Sequence, residues 1–245
     1  MDISYWTNYN PNIDIDHTLK KYYGQYLYKL VLYAPGGRVI DSKLPVVDAL
    51  IRRREHSKYR FKNSGNSWLY RNNKDIDKAD IAFLEVLKSA RQNRALGLKI
   101  RVEEPYVQIY ADAETKLQDF VEQHCMVFPR NYIIGFAGPE NLETERVLDS
   151  GAIIRRVDTG YRYKVVIRDG RYSTETKQQI LRYITALGPE QAKLSPSAVV
   201  NLRSSGNYIW NLYLYVNDPS VTSFIELISP GSVLNIHEMV IVDNK

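Results

Sequence analysis

Two segments with the same opening constrain this chain more than any other feature. Tyr26-Leu27-Tyr28-Lys29-Leu30-Val31-Leu32-Tyr33 and Tyr161-Arg162-Tyr163-Lys164-Val165-Val166-Ile167-Arg168 both begin Tyr-x-Tyr-Lys. Both are dense in aromatic and β-branched side chains, which favour extended backbone. Each then runs into turn chemistry, Ala34-Pro35-Gly36-Gly37 in the first case and Asp169-Gly170 in the second. A strand that recurs with its own stop signal points to a duplicated unit.

The elements that follow repeat in the same order. In the first half, Leu98–Glu103 and Tyr106–Ala111 read as strands around Glu104-Pro105, and Thr115–His124 reads as a helix with Leu117, Phe120 and Val121 on one face. In the second half, Val199–Arg203 and Tyr208–Val216 read as strands around Ser204-Ser205-Gly206-Asn207. Ser220–Ile228 reads as a helix carrying Val221, Phe224, Ile225 and Ile228. Asp112 and Asp218 stand where a short carboxylate caps the following helix. A last strand closes each half, Tyr132–Phe136 and Leu234–Val242.

This order predicts an α+β chain of two tandem ferredoxin-like (β-α-β-β-α-β) units, each an antiparallel sheet with helices on one face. The expected units are 1–140, with a basic insertion at 52–74, and 141–245, with an extra edge strand. The insertion lies between two helical segments, Pro45–Arg54 and Asp77–Arg91. The extra strand is Ile153–Val157, read as a hairpin with the Tyr161 strand through Asp158-Thr159-Gly160. Asn141–Asp149 reads as a helical connector. With 245 residues the chain suffices for two units of about 100–150 residues each.

Charge sharpens the functional reading. Residues 52–74 hold eight cations and one acid, Glu55, while the whole chain carries +5, so the remainder is slightly acidic. Basic character concentrated in this way implies a local anionic partner. The cations Arg52, Arg53, Arg54, Lys58, Arg60, Lys62 and Arg71 alternate with Tyr59, Phe61, Trp68 and Tyr70 in a loop rich in Gly, Ser and Asn. Single-stranded nucleic acid is bound by this mixture, because cations neutralise phosphates while rings accept bases.

Strand alternation adds a second candidate surface. Lys29, Tyr33, Tyr110, Lys164, Arg168, Tyr213 and Tyr215 fall on the sheet faces that ferredoxin-like helices leave open. The element order resembles RNA-recognition motifs, which stack bases there, without their glycine-flanked aromatic signature. The competing reading makes these tyrosines packing or protein-contact residues.

Nothing in the sequence specifies an enzyme or a cofactor. The four histidines, His17, His56, His124 and His237, lack metal-ligand spacing, and no glycine-rich phosphate loop, serine elbow or paired-cysteine motif occurs. Cys125 is the only cysteine and reads as a small buried hydrophobe. The outline also resembles CRISPR-type RNA-processing endonucleases, which would make His56 a general acid or base, but Ser229-Pro230-Gly231-Ser232 departs from their glycine-rich loop. No stretch reads as membrane-spanning and the start does not read as a signal peptide, so an intracellular, cytoplasmic protein is expected.

Met239-Val240-Ile241-Val242-Asp243-Asn244-Lys245, following Ser229-Pro230-Gly231, is similar to uncharacterised proteins of tailed bacteriophages. That resemblance implies either a nucleic-acid-binding regulator in the host cytoplasm or a non-enzymatic component that binds another protein in the host or the virion.

Overall fold

A computed structural model of the chain describes residues 1–61, 78–124, 126 and 130–242, with the backbone alone for 54–61 and 78–80. The chain divides into two compact units, Met1–Leu142 and Glu143–Lys245. The described residues form eight α-helices and two five-stranded mixed sheets, with one small two-stranded sheet besides. Cys125 lies outside the described residues.

The first unit runs α1 (Ile3–Tyr9), β1 (Asp14–His17), β2 (Tyr28–Tyr33), α2 (Val46–Phe61), α3 (Lys78–Gln92), β3 (Lys99–Glu103), β4 (Tyr106–Ala111), α4 (Glu114–Gln123) and β5 (Ile133–Gly138). Its sheet has the order β1-β5-β2-β4-β3. The second runs α5 (Leu142–Asp149), β6 (Ile153–Arg155), β7 (Tyr163–Ile167), β8 (Gly170–Arg171), α6 (Thr174–Leu187), β9 (Ala192–Leu194), α7 (Pro196–Arg203), β10 (Tyr208–Ile209), β11 (Tyr213–Val216), α8 (Thr222–Ile228) and β12 (Val233–Ile241). Its sheet has the order β6-β12-β7-β11-β9. The two orders are the same, strand for strand.

Both sheets depart from the expected all-antiparallel form in the same way. β1 runs parallel to β5, and β6 runs parallel to β12. The edge strand before Asp158 therefore does not form a hairpin with β7, because β12 lies between them. Each unit begins with a short helix and then this parallel edge strand, so α5 is the counterpart of α1 as well as a connector. The copies agree even in an irregularity. Leu32 pairs with Ile133 and Val31 with Gly135, leaving Ile134 over. Ile167 pairs with Val233 and Val166 with Asn235, leaving Leu234 over. Each is a one-residue bulge at the start of the unit's last strand.

Alternation along the central strands decides which face is buried. Tyr28, Leu30 and Leu32 of β2 are buried, as are Val165 and Ile167 of β7, while the residues between them are part-exposed or exposed. In the second unit Val165, Ile167, Leu214 and Val216 share one core cluster with Ile180 and Ile184 of α6, Ala198 and Leu202 of α7, and Ile225 of α8. In the first unit Trp6 of α1 is fully buried and stacks on Phe136 of β5, with ring centroids 4.4 Å apart and planes 21° apart. Its Nε1 donates to Glu114 at 2.9 Å, and the Asp2 amide donates to the same carboxylate at 2.9 Å.

Local chemistry explains two further corrections. Val199–Arg203 belongs to helix α7 because Ser195 caps it, accepting from the Ala198 amide at 3.1 Å, and Pro196 occupies its first turn. Asn211, at φ +52°, breaks the expected Tyr208–Val216 strand into β10 and β11. Asp218 accepts from the Ser220 amide at 2.8 Å, as a cap should. Asp112 instead pairs with Lys116 one turn on, 2.7 Å away, and that bond holds its carboxyl below the usual carboxylate range.

Gly138 ends β5 against the buried Tyr28 ring. A Cβ at this position would stand 2.8 Å from a ring carbon. Gly138→Ala is therefore expected to destabilise the protein by about 1–3 kcal/mol, the usual range for overpacking a filled core. A lowered denaturation midpoint in the full chain is the readout, and an unchanged midpoint would contradict it.

Candidate nucleic-acid interface

Helix α2 carries the first part of the basic segment. Arg52 is exposed on it. Arg53 is engaged by Glu104, which Arg38 also approaches at 3.5 Å, so one carboxylate serves two guanidinium groups. Arg54, Lys58, Tyr59 and Arg60 lie on the α2 backbone, and their side chains, like that of His56, are outside what the structure describes. Lys62, Trp68, Tyr70, Arg71 and the expected loop around them lie outside the described residues.

The open sheet faces are fully described, and the pairing registers align them residue by residue. In the first unit Lys29 of β2 lies opposite Tyr110 of β4, which lies opposite Lys99 of β3. In the second, Lys164 of β7 lies opposite Tyr215 of β11, which lies opposite Lys193 of β9. The same Lys–Tyr–Lys row thus crosses both faces. Two members, Lys99 and Lys193, were not singled out from sequence. They become visible only once the two copies are placed in register.

In the first unit the chain covers its own row. Residues 18–27, ten in number, join β1 to β2, and Tyr22 and Tyr23 from this loop pack against Tyr110, tilted and edge-on, at centroid distances of 5.2 and 5.1 Å. The Lys29 ammonium sits 5.3 Å from the Tyr22 ring and the Lys99 ammonium 4.0 Å from the Tyr23 ring. Arg101 donates to the Tyr23 hydroxyl at 3.1 Å. Tyr110 is left 4% exposed, so it presents no free ring to a ligand. Burial pushes its hydroxyl well above the ordinary tyrosine range, aided by a hydrogen bond with Tyr23. Acids share this face as well: Asp14 and Asp16 on β1 and Glu103 on β3 fall on its side. Tyr33, further along, is exposed but lies against Tyr106 and Tyr132.

In the second unit the corresponding connection is shorter, residues 156–162, seven in number. Among the described residues Tyr215 meets only two rings, Tyr161 stacked at 6.1 Å and Tyr213 edge-on at 5.6 Å. The Lys164 ammonium stands 4.0 Å from the Tyr213 ring. By register this face also receives Arg155 of β6 and His237 and Asn235 of β12, and none of its described strand residues is acidic. Burial raises the Tyr215 hydroxyl above its ordinary range while Arg155 opposes the shift, so the ring stays neutral at physiological pH. Arg162 is taken by Glu238 at 3.0 Å, and Arg168 turns to the Gly231 carbonyl at 2.9 Å, away from the row.

The second face therefore presents lysine ammonium groups beside tyrosine rings. Among the described residues no group of three or more His, Cys, Asp or Glu side chains converges as a metal site. Among the same residues no helix is long and apolar enough to cross a membrane. No protein-family model matches the chain, and no curated protein matches it either.

Proposed function

We propose that this chain is a non-enzymatic, nucleic-acid-binding protein built from two ferredoxin-like units in tandem, each extended by an N-terminal helix and a parallel edge strand. The strand order supports the fold name: setting the edge strands aside, both sheets read last, first, third, second. The observation that carries the function is the Lys164–Tyr215–Lys193 row on a face whose described strand residues include no acid. Lysines there neutralise phosphates while Tyr213 and Tyr215 offer rings to bases. The first unit supplies an internal precedent for aromatic rings packing against such a row, since Tyr22 and Tyr23 meet the equivalent tyrosine tilted and edge-on, with lysines over them. The basic segment beginning at Arg52 is a second concentration of positive charge in the sequence.

The test is fluorescence anisotropy of labelled single-stranded RNA, single-stranded DNA and duplex DNA over a range of salt. Single strands are expected to bind in preference to duplex. Three phosphate contacts from Arg155, Lys164 and Lys193 give a slope of log K against log salt of about −2. Absence of single-strand binding at low salt would end this reading.

A second reading, protein binding in an assembly, is favoured by one specific surface. Phe224 and Leu227 of α8 and Leu234 and Ile236 of β12 are exposed large apolar residues on neighbouring elements. If no nucleic acid binds, this surface is where a partner would be sought.

A further inference from the structure

The ladder between β7 and β11 does not stop at the main sheet. The Ile167 amide donates to the Leu212 carbonyl at 2.9 Å, Gly170 and Arg171 pair with Ile209 and Tyr208, and the Tyr172 amide donates to Asn207 at 2.8 Å. The two central strands thus continue into a short arm. At its end Trp210 is 60% and Tyr208 50% exposed, with ring centroids 6.4 Å apart and planes 31° apart.

The arm is held in place by buried chemistry. Lys177 of α6 is fully buried, and its ammonium donates to the carbonyls of Ser204 and Gly206, gripping the turn that leads into β10. Asn201 donates to the Trp210 carbonyl at 2.9 Å, and Asp169 accepts from the Asn211 amide at 2.8 Å. Two large rings are therefore kept in water by a rigid support, an arrangement that folding alone does not require. Arg171 lies on the arm and Arg203 at the end of α7, while Arg168 donates to the Gly231 carbonyl and the one carboxylate on the arm, Asp169, already serves Asn211.

We infer that the Tyr208–Trp210 arm is a second base-stacking subsite, which takes up a single strand as it leaves the Lys164–Tyr215–Lys193 row. Exposed aromatic rings among arginines match a single-stranded nucleic acid, whose bases stack on the rings while its phosphates meet the cations. The inference rests on the nucleic-acid reading above. It predicts a dependence on strand length, because a strand seated only on the row does not reach the arm.

The experiment compares homopolymer single strands at the short and long ends of the about 4–16 nucleotides that one binding fold spans. Trp210→Ala is expected to weaken the long strand about 5- to 150-fold, the loss of one stacked base, and to leave the short strand and the salt slope unchanged. Trp210→Phe restores most of the lost affinity, and circular dichroism melts confirm that the variants fold. If the wild-type chain binds both strands and Trp210→Ala binds the long one equally well, the arm is no subsite although the function stands. If Trp210→Ala changes the oligomeric state and not the binding, the arm is a protein contact and the inference is overturned. If the wild-type chain binds neither strand, function and arm fall together.

Discussion

Truncating Trp6 to alanine is expected to destabilise the protein by about 3–5 kcal/mol, the range for removing a fully buried large aromatic side chain. The indole fills the space against Phe136, and its N–H satisfies a carboxylate that also holds the Asp2 amide. Removing it opens a cavity beneath β5 and frees α1 from its main anchor. Trp6→Phe keeps a ring over Phe136 and gives up chiefly the Glu114 bond, so a loss of about 1 kcal/mol is expected. Chemical denaturation of the full chain, followed by circular dichroism, separates the two values. Equal midpoints for the alanine variant and the wild type would show that the stack contributes nothing.

On the binding side, the strongest response is expected at the Lys164–Tyr215–Lys193 row. Tyr215→Ala removes a stacking ring and should weaken single-strand binding about 5- to 150-fold without altering the salt slope. Lys164→Gln combined with Lys193→Gln should make the slope shallower by about 1.4, two phosphate contacts at about 0.7 each. The first unit provides the control within the same chain. Lys29→Gln with Lys99→Gln should change neither affinity nor slope, because Tyr22 and Tyr23 already lie on that row. Equal effects from the two pairs of substitutions would mean that the loop over Tyr110 does not occlude its face.

The duplicated core was legible because its signals are local and apolar. β2, β7 and β4 are runs rich in aromatic and branched residues bounded by Pro, Gly or Asp, and such runs announce themselves. The edge strands β1 and β9 did not. β1 reads Asp-Ile-Asp-His, and its partner β5 lies far along the chain, so nothing near Asp14 marks the pairing. β9 is only three residues, and the branched pair Val199–Val200 drew the strand assignment into what Ser195 and Pro196 make a helix. Those two start signals stand in the sequence and outweigh β propensity when read together.

The candidate site was half legible for the same reason. Lys164, Tyr213 and Tyr215 follow from strand parity, whereas Lys193 needs the register between β9 and β11. The difference between the two faces is a matter of loop length and of two tyrosines ahead of β2. Neither has meaning until Tyr110 is seen beneath them.

The parallel strands β1 and β6 carry a last consequence for edge-to-edge pairing. A sheet edge is a template for another strand, and a chain with two similar sheets is doubly exposed to mispairing. Here the outermost strands are poor templates. β6 and β9 have three residues each, β1 bears Asp14 and Asp16, and β3 alternates Lys99, Arg101 and Glu103 along one side. Short or charged borders leave neither sheet a long, uncharged edge on which a further strand could pair.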